Sequence, residues 1–145
     1  MANQINDSLL RPLINACVKA AWSPTKIIDN TARLPALAAD LPYAVVALVN
    51  MTQDFGGLRM EAQTYRYEIT GVFGWPASGT INDAMISRAN TLMAQLTESP
   101  NFGLYGRGRR VTEVAFDSQA GGDDQEPVYS VTVTLELTVF DSQSN

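Results

Sequence analysis

Histidine is missing from the chain, and cysteine occurs once, at Cys17. Without histidine, Ser-His-Asp and Cys-His catalysis and His-ligated zinc are excluded. A lone cysteine closes no internal disulfide and forms no CxxC pair. Long apolar runs are missing too. No stretch approaches the ~18 apolar residues that span a bilayer, so no membrane partner is expected. The opening MANQINDSLLRPLINACVKAAW lacks a basic segment ahead of an apolar one and does not read as a secretory signal, so synthesis and use in a cytoplasm are expected. Basic residues disappear from one part of the chain. Residues 1–58 carry four basic and four acidic groups, residues 59–110 six and four, and residues 111–145 none and seven, for a net charge of −5. An acidic final third argues against a general nucleic-acid binder, because phosphate contact needs a basic face.

What is present is a globular composition, 46% hydrophobic over 145 residues. That length suits one domain, 1–145, able to bury roughly 68% of the unfolded chain's surface. Leu9, Leu10, Leu13, Ile14, Cys17, Val18, Ala21 and Trp22 recur at helical spacing and predict a helix from Asp7 to Trp22. Asp7 or Ser8 is its expected cap, Pro12 is expected in the first turn, and Ser23-Pro24 ends it. Cys17 falls on the apolar stripe and reads as a buried small hydrophobe. Residues 25–42 read as a proline-bearing connector, with a helical turn possible over Leu34–Ala39.

Strand signals follow. Tyr43–Thr52 is a nearly continuous apolar run rich in valine, ended by Asp54-Phe55-Gly56-Gly57 turn chemistry. In Ala62–Phe73, Tyr65, Tyr67, Ile69 and Phe73 alternate with polar residues, as in a strand with one wet face. A helix is predicted over Ile81–Glu98, with Thr80 as N-cap, Asp83 three residues on, and Ser99-Pro100 as the stop. Its buried stripe is Ile81, Met85, Ala89, Leu92, Met93 and Leu96. A third strand is expected at Val111–Asp117. The strongest alternation, Tyr129 to Val139, predicts a fourth strand of about thirteen residues, roughly 43 Å at ~3.3 Å per residue. A strand that long suggests pairing beyond its own subunit. The order α-β-β-α-β-β predicts an α+β two-layer sandwich, a mixed four-stranded sheet with helices on one face.

Four features invite a functional reading. The basic loop GLYGRGRR, with Arg107, Arg109 and Arg110, reads as a solvated loop, an intersubunit salt-bridge loop or an anion cradle. It is no Walker loop, because no Gly-Lys-Ser/Thr follows. Asp123, Asp124 and Glu126 read as a solvated hairpin tip; their spacing is not that of an EF-hand. The scattered carboxylates Asp54, Glu61, Glu68, Asp83, Glu98, Glu113 and Asp117 have no base-like partner or metal-ligand spacing, so no catalytic, cofactor or metal residue is assigned and no enzyme is expected. Aromatic residues beside loops and arginines, namely Trp75 with Pro76, Phe102 and Tyr105, are candidate interface anchors, since aromatics and arginine dominate interface hot spots. Val133, Leu135 and Leu137 on the long strand join them as candidate intersubunit contacts.

The succession of the N-terminal helix, LPYAVVALV, TYRYEITGVF, TINDAMISRANTLMAQLTES and the closing PVYSVTVTLELTVF resembles the tail terminator proteins of long-tailed bacteriophages, a family that includes minor tail and tail-to-head joining proteins. The resemblance covers nearly the whole chain and is one of layout, with no diagnostic motif and no catalytic residues. It implies a homohexameric ring in the virion's tail or neck. One face would meet the tail-tube protein and the other the head connector, with DNA only as passing cargo. Two rival readings stand beside it: a head-completion or neck ring protein, and a small nucleic-acid-binding α/β module that would need the basic loop, Arg59, Arg66 and Arg88 on one face.

Overall fold

A computed structural model describes residues 7–29, 41–55, 60–100, 102, 108–119, 121 and 127–142. Seven elements run in the order α1 (Asp7–Trp22), β1 (Lys26–Ile28), β2 (Tyr43–Phe55), β3 (Met60–Gly74), α2 (Ile81–Glu98), β4 (Arg109–Gln119) and β5 (Val128–Ser142). The α+β class matches the expectation. The sheet has five strands, not four, in the order β1-β2-β3-β5-β4. The added strand is Lys26–Ile28, which pairs parallel with Tyr43–Val45 inside the stretch expected to be connector. A three-residue strand has no period to read, and its partner lies far along the chain. The expected turn at Leu34–Ala39 lies outside the described residues.

Both expected hairpins form. β2 pairs antiparallel with β3, and β4 with β5. β2 continues through Asp54 and Phe55, where the turn was expected to begin, and Gly56-Gly57 lie outside the described residues. β5 also pairs antiparallel with β3 along its whole length, from Met60↔Ser142 to Gly74↔Val128. β3 and β4 therefore run parallel, joined over one face by α2, with β5 between them. The long strand is internal, so its length serves the chain's own sheet.

Each helix ends where local chemistry ends it. In α2 the Thr80 hydroxyl accepts from the Asp83 N–H at 3.1 Å, and the Ser99 N–H donates to Gln95 O at 3.0 Å before Pro100. In α1 the Ser23 N–H donates to Lys19 O at 3.1 Å, and Ser23 turns the chain out of the helix at φ 48°. Pro12 sits inside α1, one turn later than expected, where the missing N–H would have met the Ser8 carbonyl. The Asp7 carboxylate accepts from Arg11 Nε at 2.8 Å and from the Tyr67 hydroxyl at 2.7 Å, which fastens α1 to the sheet.

The core lies between the helices and one sheet face. Leu10, Ile14, Cys17 and Val18 of α1 and Met85, Ala89, Leu92 and Leu96 of α2 meet Tyr67, Ile69, Val131, Val133, Leu135 and Leu137. Trp22 packs edge-on against Phe73 with centroids 5.3 Å apart, and Phe73 stacks on Tyr129 at 5.2 Å. Gly71 leaves space for these rings; a Cβ there would stand 2.6 Å from the Trp22 ring. No helix among the described residues is long and apolar enough to cross a membrane.

Strands and helices differ in reach. β5 spans roughly 50 Å at ~3.3 Å per residue, whereas α2 spans roughly 27 Å at 1.5 Å per residue. The strands outrun the helices, and the helix-side residues Leu48 and Met51 of β2 remain exposed.

Candidate functional site

The sequence-nominated residues divide sharply. Val133, Leu135 and Leu137 are fully buried in the core, which corrects their reading as intersubunit contacts. They alternate on β5 because the helices cover that face. Phe102 is also buried, under the Arg109 guanidinium at 5.1 Å from its ring. Arg109 donates to Ser99 O at 2.7 Å, so this pair locks the end of α2 to β4 and leaves neither side chain as an interface anchor. Gly108 abuts β5 so closely that a Cβ would collide with the Thr138 carbonyl. Arg110 is exposed and holds Glu136 at 3.1 Å. Trp75 is exposed, with its N–H bonded to Pro127 O, and Pro76 is half-buried beside it. Tyr105 and Arg107, like Arg59 and the acidic tip at Asp123, Asp124 and Glu126, lie outside the described residues. Cys17 is buried, and burial pushes its thiol pKa up.

The arginines do not gather. The register alternates, so Arg66 and Arg110 stand on the helix-free face of the sheet. Arg88 reaches over the Phe73 ring at 4.3 Å, on the helix side. The single basic face that a nucleic-acid module needs is not assembled by Arg66 and Arg88.

The middle of the helix-free face is polar, whereas Tyr43 and Val45 at its end are buried. One rung carries Asn50, Arg66, Glu136 and Arg110 across four strands, and the next carries Ala47, Glu68, Thr134 and Glu113. Threonine hydroxyls pair across strands, Thr64 with Thr138 at 3.0 Å and Thr70 with Thr132 at 2.9 Å. Such pairs are the local unit that steadies an open sheet face.

The features that sequence reasoning missed are the two sheet edges. β1 covers β2 only at Tyr43–Val45, so residues 46–55 have no strand partner on that side among the described residues. The Arg11 guanidinium donates to the Val46 carbonyl at this edge. On the far side, β4 has no outer partner over residues 109–119 among the described residues. Both edges carry one bulge, at Leu48/Asn50 and at Val111/Glu113.

Exposed apolar side chains concentrate beside these edges. Of the seven large hydrophobics exposed among the described residues, Leu48, Val49 and Met51 lie on β2, Phe116 on β4 and Ile86 on α2. Ile86 belongs to the β4 side. Trp22 and Cys17 of α1 bond the Arg88 and Gln95 carbonyls of α2. At about 100° per residue, Ile86 and Met93 then occupy the opposite flank of α2, away from α1. Phe116 is 44% exposed and Met51 53%, values that mark uncovered surface rather than core. Natural edge strands are usually short, charged or covered; long edges with apolar flanks are pairing surfaces. The signal was present in NMT and VAFD, but only the strand order makes it an edge. No protein-family model and no curated protein matches the chain.

Proposed function

We propose that the chain is a structural ring subunit of a virion, a tail terminator that caps the tail tube and joins it to the head or neck, with DNA passing through its channel. The observation that carries this reading is the pair of unlike sheet edges without a strand partner among the described residues, each flanked by exposed apolar side chains. A subunit with two different association surfaces makes heterologous contacts, and such contacts close into a ring when the rotation between copies closes. The layout of elements, which resembles the tail terminators of long-tailed bacteriophages, supports the same reading. The acidic excess of residues 111–145 suits a channel that must let DNA slide without gripping it.

The test is solution mass by light scattering over a concentration series, with negative-stain images of each peak. A ring of about six copies, as the resemblance implies, is the expected result. A chain that stays monomeric at every concentration and does not add to purified tail tubes counts against the reading. Addition to tube ends separates a terminator from a head-completion or neck ring, which would add to the head connector.

A further inference from the structure

We infer that neighbouring copies join edge to edge, the β4 edge of one chain pairing antiparallel with residues 47–54 of β2 in the next, so that one sheet runs on from copy to copy. This inference rests on the ring reading and specifies its contact.

The strand order sets the direction. Three antiparallel pairings separate β2 from β4, so the two run antiparallel within one chain. A second copy placed beside the first with its helices on the same side presents β2 antiparallel to β4. The required pairing direction therefore comes without turning a copy over.

Face and register agree as well. Leu48 and Met51 lie on the helix side of β2, and Val114 and Phe116 on the helix side of β4, by their pairing with core residues Tyr67, Tyr65, Val133 and Val131. Setting Phe116 opposite Leu48 of the next copy brings Ala115 to Asn50 and Val114 to Met51, because the bulge on β2 absorbs one residue. Glu113 then meets Thr52. Past the bulge on β4, Val111 meets Gln53 and Arg110 shares a rung with Asp54. Each helix-side residue faces a helix-side residue, and each outward residue an outward one. The same alignment covers the exposed apolar groups of both edges at once. The edges also match in length, and β1 ends the pairing by covering β2 at Tyr43–Val45. A foreign peptide strand on β4 would leave the β2 edge uncovered; a second copy covers both.

The experiment is oxidation of the double variant Leu48→Cys with Phe116→Cys. Within one chain these positions sit on β2 and β4 with β3 and β5 between, about 14 Å apart at least, beyond the ~7 Å reach of a disulfide. Any bond between the two introduced cysteines is therefore between copies, and the variant is made with Cys17→Ala so that no other thiol is present. A covalent ladder that climbs to the ring size is expected, with each single variant staying uncrosslinked because its cysteine faces Phe116 or Leu48 of the next copy. In parallel, Phe116→Lys is expected to convert rings to folded monomers that keep the wild-type circular dichroism and melt cooperatively at a temperature independent of concentration. Rings that form without the ladder, or that survive Phe116→Lys, overturn the edge pairing and leave the ring reading standing. A wild-type chain that remains monomeric up to about 1 mM, where even a weak ~4 kcal/mol association shows, and that adds to no purified tail tube overturns both.

Discussion

Leu135 and Leu48 look alike in sequence, each an apolar residue on a strand, and the structure assigns them opposite work. Leu135 is fully buried beneath the helices, whereas Leu48 is 39% exposed at a sheet edge. Truncating a buried leucine to alanine removes its transfer free energy and leaves a cavity, at about 3 kcal/mol. At Leu48 the residue is only partly covered, and truncation should cost no more than about 1 kcal/mol. The comparison belongs in the Phe116→Lys background, where unfolding is not linked to association. With a urea slope of about 2 kcal/mol per molar, Leu135→Ala should lower the midpoint by about 1.5 M and Leu48→Ala by at most about 0.5 M. Tryptophan fluorescence reports the transition, because Trp22 is buried against Phe73. Equal shifts for the two variants, or a negligible one for Leu135→Ala, would refute the division between core and edge.

Three further outcomes follow from local geometry. Burial raises the Asp7 pKa, but the hydrogen bonds from Arg11 and Tyr67 and the Arg11 charge outweigh it, so the group sits below its ordinary 3.8. Its stabilising contribution is complete above that value and is lost as pH falls through the folded-state pKa. The stability gap between wild type and Asp7→Asn in urea titrations should therefore be flat near neutrality and shrink in acid. Thr80→Ala removes the α2 cap and should cost about 1 kcal/mol in the same titration. Gly71→Ala places a Cβ against the Trp22 and Phe73 rings; it should cost about 1–3 kcal/mol and alter the near-ultraviolet circular dichroism of the aromatic cluster.

Elements governed by local chemistry were legible in the sequence. Both helices run between the residues that their apolar stripes and flanking Thr80, Ser23-Pro24 and Ser99-Pro100 indicated. The alternation from Tyr129 to Val139 announced β5 and its buried face. What depends on long-range pairing was not legible. Lys26–Ile28 becomes a strand only because Tyr43–Val45 lies beside it. Nothing in the alternation of Val133, Leu135 and Leu137 says whether that apolar face meets helices of the same chain or another subunit. The same holds for the candidate site. Phe116 and Met51 gain meaning as edge residues only once the order β1-β2-β3-β5-β4 is known. Phe102 and Arg109 stand near each other in sequence, and that proximity did not reveal that each satisfies the other within the fold.

The position of β5 between β3 and β4 bears on how the protein is made. A ribosome releases residues 43–119 before residues 128–142, so the hairpin of β2 and β3, helix α2 and strand β4 emerge while the strip that joins them is still inside the exit tunnel. Until it arrives, β3 and β4 each hold an open ladder, and α2 has no Val133 or Leu135 beneath it. Closure by a late central strand is a long-range event, of the kind that folds slowly and leaves apolar surface open meanwhile. Until residues 128–142 emerge, the surfaces that stay open are the inner ladders of β3 and β4 and the apolar stripe of α2.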